Sequence, residues 1–209
     1  MDYSLLFSAI SAIASALIVV QLILSFIQKK KEHEEQRRQK TVDMLLEWNH
    51  SLERETSRAT KIVGKFNEEQ CRKLFRQEIF KVDKEIMSEI CQLCKDENHS
   101  DCSKCEPHGS SKDECSISQR QLIELRWYII SYLNTLETVL VAWQQGTVDK
   151  KMIEREFSYM YNPENGVDVL SKFRNAAGGS KSYPVIDYFI FTLKENEAHK
   201  YKLRMKYDL

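Results

Sequence analysis

From Leu5 to Ile27 the chain runs for 23 residues without a charged side chain, and the only polar residues there are serines and Gln21. A helix of that length rises about 35 Å, enough to cross a hydrocarbon core of about 30 Å with some tilt. The flanks fix an orientation: Asp2 stands before the run, while Lys29, Lys30 and Lys31 end it, with Arg37, Arg38 and Lys40 close behind. An excess of Lys and Arg marks the cytoplasmic side. A cleaved signal peptide would carry a basic start, a shorter apolar stretch and a small-residue cleavage site. The run therefore reads as a retained anchor in the inner membrane, with a short N-terminus outside and the bulk of the chain in the cytoplasm.

Three segments follow from this: a transmembrane helix over 1–28, a charged juxtamembrane helix over 29–66 and a cytoplasmic helical domain over 67–209. After the anchor about 180 residues remain, enough for one core. Lys plus Arg and Asp plus Glu each total 31. With no net charge there is no general field for polyanions, and direct nucleic-acid binding is not expected.

Within the anchor the serines form a stripe. Ser4, Ser11 and Ser25 share one seven-residue row and Ser8 and Ser15 the next, which Leu22 continues, with Gln21 at the edge. Small residues on one face let helices pack closely. In a ring of helices the same face would line a narrow, partly wetted pore. Both uses imply self-association, with membrane lipid on the remaining faces.

The rest reads as all-α, with no convincing strand and no internal repeat. Val42, Leu45, Leu46, Leu52 and Ile62 are sparse apolar points on the charged stem. Asn67 with Gln70 has capping-box spacing and opens a helix expected to continue through Leu74, Phe75, Ile79, Val82, Ile86 and Ile90. The most regular helix is expected from Ser118 to about Gln145. Leu122, Ile129, Leu136 and Trp143 form one row of it, and Leu125, Tyr132 and Val139 a second. Arg126 and Glu137 share a face of this helix with Asn134 beside them, which suits a polar network inside the bundle. Gly146 ends the helix. Shorter helices are expected over 149–161 and 167–175, and a last one from Pro184 carrying Ile186, Phe189, Ile190 and Leu193.

Between two of these helices lies a Cys-rich insertion, 91–115. Cys91 and Cys94, then Cys102 and Cys105, are paired knuckles that suit a tetrahedral thiolate site, and disulfides are disfavoured in a reducing cytoplasm. The expectation is structural zinc, since four thiolates leave no open position for catalysis. Free thiols are the alternative, and Cys71 reads as packing.

The order of serine-bearing membrane helix, charged stem and the stretch RWYIISYLNTLETVLVAWQQGTVDKKMIEREF (126–157) resembles the small membrane accessory proteins of type VI-B CRISPR systems. That resemblance implies a divergent HEPN-like helical bundle in a bacterial cytoplasm. It also implies a ring homo-oligomer whose membrane helices form a pore, and a functional link to an RNA-guided RNA-cutting effector in antiphage defence. Catalytic HEPN ribonucleases carry an Arg followed after four to six residues by a His. Here His33, His50, His99, His108 and His199 all miss that spacing. Lys194 stands five before His199, and Arg155 lies near Glu156 and Tyr159, but neither arrangement matches. No catalytic residue is assigned and an enzyme is not expected; a membrane-tethered adaptor or a divergent ribonuclease are the alternatives to a pore.

Overall fold

The computed structural model describes residues 3–52, 54–94, 114–162 and 167–207, with side chains described from residue 17 onward except at 162, 167, 200, 201 and 203–207. Helix α1, Tyr3–Ser51, is continuous for 49 residues. Neither Pro nor Gly interrupts it, so nothing breaks its hydrogen-bond ladder over about 74 Å. The chain turns near Leu52, where the expected stem of 29–66 divides, and α2 (Arg54–Gly64) folds back against the domain with Ala59, Ile62 and Val63 buried.

Asn67 and Gln70 form the expected capping box at the start of α3 (Glu68–Arg76). The long helix expected beyond it does not form. Gln77 takes a left-handed conformation (φ 61°), and its amide and that of Glu78 close back on Leu74 and Lys73, a helix-ending pattern. Ile79, assigned by its spacing to the apolar face, is exposed. Strand β1 (Lys81–Asp83) follows, and α4 (Lys84–Leu93) starts afresh. Strand β2 (Glu114–Ser116) pairs antiparallel with β1, Val82 opposite Cys115, so the C-terminal end of the Cys-rich insertion is pinned beside the strand that precedes α4. A second ribbon joins β3 (Tyr161–Asn162) to β4 (Val167–Asp168). The expectation of no strand is thus corrected by two minimal two-stranded ribbons, too short for an alternating pattern to show.

Helix α5, Gln119–Gln144, is the axis of the core. Ser118 and Gln121 cap it reciprocally, and both seven-residue rows are buried throughout. Gly146 follows it at φ 69°, a conformation that side-chain-bearing residues adopt at a cost. Helix α6 is Lys150–Glu156, capped by the Asp149 carboxylate on the Met152 amide, and a 3-10 turn at Ser158–Met160 replaces the rest of the helix expected to Tyr161. Likewise the helix expected over 167–175 is β4 followed by α7 (Ser171–Ala176). Helix α8 runs Pro184–Tyr207, and Ile186, Phe189, Ile190 and Leu193 are buried on α5 as their spacing requires. Trp143 meets Phe189 edge-on at 4.8 Å.

Glu137 and Arg126 do not form a joint network. The Glu137 carboxylate accepts from the amides of Val185 and Ile186, both at 2.9 Å, and so caps α8 from a neighbouring helix. Arg126 donates to the Phe75 carbonyl at 2.9 Å and stacks over the Phe75 ring, while Asn134 is exposed. Glu137→Ala leaves two helix-start amides without an acceptor. It is expected to lower stability by about 2 kcal/mol, read from urea unfolding, with Glu137→Gln intermediate because it keeps one acceptor.

Candidate functional site

Three places carry chemistry that packing alone does not explain: the exposed part of α1, its seat on the domain, and a buried ion cluster behind α5.

On α1 the described side chains begin inside the uncharged run. From Leu17 to Ile27 the large apolar residues are 53–72 % exposed on every side of the helix. A helix that is apolar all round belongs in a core or a membrane; water alone would leave all of this surface unfavourably hydrated. Among the described residues no helix is long and apolar enough to cross a membrane. Of the residues read as lining a pore, Gln21, Leu22 and Ser25 are exposed, and the side chains of Ser4, Ser8, Ser11 and Ser15 lie outside the described residues.

Further along α1 the helix packs on the domain. Thr41 is fully buried; its hydroxyl accepts from the Asp149 amide at 2.7 Å and donates to the Arg37 carbonyl. Trp48, one heptad on, is buried between Tyr132 of α5 and Phe157, with ring centroids 5.5 and 5.3 Å away. The seat is therefore Thr41, Met44, Leu45 and Trp48, while Val42 and Leu46, singled out from sequence as apolar points, face outward. A stripe at i, i+3, i+4 and i+7 was present in the sequence, but one of its four members is a threonine. The result is a stem joined to the domain by packing, not by a linker.

Behind α5, Arg174 of α7 is only 4 % exposed. It pairs with Asp187 of α8 at 3.2 Å and donates to the Val169 carbonyl at 2.8 Å. Burial pulls its pKa below the ordinary arginine value, while Asp187, Asp168 and Glu137 act to hold the charge. Lys194 lies 3.0 Å from Asp168 Oδ1 and hydrogen-bonds Oδ2 at 3.1 Å. The Tyr132 and Tyr159 hydroxyls are 3.3 Å apart; burial holds Tyr132 well above the usual tyrosine range and raises Tyr159, whose residue is more than half exposed. No histidine or thiol reaches this cluster among the described contacts. It ties α7, β4 and α8 together, and because its members are up to 62 positions apart no motif announces it. Lys194 is thereby committed to Asp168, and Arg155 and Glu156 are exposed on α6; neither sequence pairing forms a site.

The cysteines divide. Cys91 and Cys115 are each disulfide-bonded, and the Gln121 amide lies 3.6 Å from Cys91 Sγ. Cys94 and Cys71 are both buried, and burial pushes the Cys71 thiol up to about 11. Cys102 and Cys105 lie outside the described residues, and among the described residues no group of three or more potential ligands is placed to hold a metal ion. A disulfide sulfur has no thiolate to offer zinc, so Cys91 does not suit that role in this oxidised form.

A family model matches residues 7–162, and the chain belongs to that family, DUF4760, a domain of unknown function. The match takes in all but the first two residues of the uncharged run, the seat of α1 and all of α5. No curated protein and no solved structure matches the chain.

Proposed function

We propose that this chain is a single-pass protein of the bacterial inner membrane whose helical domain faces the cytoplasm. In this reading copies of the chain gather their membrane helices into a ring, and the resulting pore perturbs the membrane in support of RNA-targeting antiphage defence. The observation that carries the anchor is the all-round apolar exposure of Leu17–Ile27, in a run whose uncharged sequence begins at Leu5. The pore adds the serine stripe and the resemblance of 126–157 to the CRISPR-associated membrane proteins. The seat at Thr41 and Trp48 supports the coupling, because a domain that packs directly on its stem holds the membrane helix at a set angle.

The test is the mass and shape of the detergent-extracted full-length protein, by light scattering and electron-microscope class averages, followed by depolarisation of cells expressing it. A ring with a central opening and depolarisation lost in Ser8→Leu, Ser11→Leu, Ser15→Leu is the expected result. A monomer that leaves the membrane potential intact sinks the pore. The tethered adaptor is then the better account, and Ile123 and Trp127 favour it: they stand one turn apart on α5, both at least half exposed, as a partner-facing pair would.

In a reducing cytoplasm Cys91, Cys94, Cys102 and Cys105 become thiolates able to hold a structural zinc that closes the insertion. About one zinc per chain is expected by elemental analysis of protein purified under reducing conditions without chelator; a metal-free protein that folds normally rules this out.

A further inference from the structure

Where α1 lies against the end of α5 and α6, two grooves open along the seam, one on each side of the Thr41 contact. Arg37 and Lys40 line the first with Gly146 and Thr147; Arg38, Lys151 and Arg155 line the second with Asp149. Between them the two grooves are lined by five cations and one carboxylate, Asp149, which lies in the second. That carboxylate is already engaged, since Asp149 caps α6 through the Met152 amide and lies 3.6 Å from Arg38. Of the acids on α6, Glu154 accepts from the Trp143 indole at 3.1 Å. Half-buried Glu34 stands one turn before Arg37 and Arg38, so a chain with no net charge has gathered an excess of cations over carboxylates at one place, where the stem meets the domain.

We infer that this seam binds clustered phosphate groups. Guanidinium forks of Arg37, Arg38 and Arg155 match phosphate oxygens two at a time, and Lys40 and Lys151 add mobile point charges. Two sources could supply the phosphates, lipid headgroups or a soluble oligophosphate, and helix geometry separates them. Counting from Ile27, Arg37 lies about 15 Å and Lys40 about 20 Å further along α1. The headgroup layer extends only about 5–8 Å beyond the hydrocarbon. Lys29, Lys30 and Lys31 are at headgroup depth, and the seam is below it, which favours the soluble source. A ligand there would bridge α1 to α6 and stiffen the junction between stem and domain. The choice of source rests on the anchor proposed above, whereas the phosphate site itself uses only residues of this seam and stands whether or not the chain forms a pore.

The experiment measures tripolyphosphate binding to the full-length protein in neutral detergent by calorimetry, at low and at moderate salt. Alongside it, the same protein is tested for retention on phosphatidylglycerol against phosphatidylcholine vesicles. Lys151 and Arg155 are exposed and one turn apart, so Lys151→Glu with Arg155→Glu changes charge without disturbing the core. Reversal of the exposed Lys61 and Lys84 makes the same change in net charge elsewhere. Expected is tripolyphosphate binding weakened more than about tenfold by the seam variant, little changed by the control, and reduced by salt. Seam-dependent retention on the anionic vesicles alone keeps the phosphate site and assigns its source to lipid. No binding in either arm, or equal loss in seam and control variants, overturns the proposal.

Discussion

Ile129→Asp is expected to abolish the folded domain. Ile129 is completely buried midway along α5, in the row of Leu122, Leu136 and Trp143. A carboxylate there loses its hydration and gains no partner, and the aliphatic contacts go with it. Together these cost several kcal/mol against a total stability of about 5–15 kcal/mol for a domain of ordinary size. The measurement is the cooperative thermal transition followed by circular dichroism, which should vanish or be replaced by aggregation on expression. Ile123→Asp on the same helix is the internal control. Its side chain is half exposed, so a change within about 0.5 kcal/mol is expected. A cooperative, native-like melt for Ile129→Asp would mean that α5 packs by another face.

The second large effect concerns the membrane and leaves the fold alone. Leu17→Asp with Val20→Asp places two carboxylates near the middle of the Leu5–Ile27 run, each costing about 2.5–3.5 kcal/mol at the centre of a spanning helix. Both side chains are exposed and far along α1 from Trp48, so the helical domain is expected to melt as before. The wild-type chain should stay with membranes washed at alkaline pH, and the double variant should leave them. Release of the wild-type chain by the same wash would remove the anchor from the account. Paired with the Ile129 result, this separates loss of membrane contact from loss of structure.

How far the sequence could be read depended on length and on repetition. Helix α5 and the start of α8 were legible because 26 and 24 residues give the apolar period several turns to declare itself, with Ser118 and Pro184 as start signals. The break between α3 and α4 was not. Ile79, Val82 and Ile86 continue the helical spacing across it, and the residue that ends α3 in the left-handed region is Gln77, which carries none of the warning a glycine would. Leu170, also left-handed before α7, hid the second misjudged boundary in the same way. The candidate site was legible only at the uncharged end of α1. Arg174, Asp168, Asp187 and Lys194 come together through the packing of α7 and α8, a tertiary event that local pattern cannot express. Trp48 was missed because a single tryptophan in a run of charges looks like decoration until Thr41 is seen one heptad before it.

The uninterrupted ladder of α1 also sets a phase. Each residue turns the helix by about 100°, so the azimuth of any membrane face is fixed relative to Trp48, where the helix is clamped to the domain. Between Ser25 and Trp48 there are 23 steps, which place Ser25 about 140° around the axis from the clamp. One residue inserted between them would swing the uncharged run by about 100° relative to the domain, whereas seven would restore it to within about 20°. The charged stem thus acts as a key cut to one length: if the uncharged run spans a membrane as proposed, whatever arranges the domains also decides which side of it looks inward.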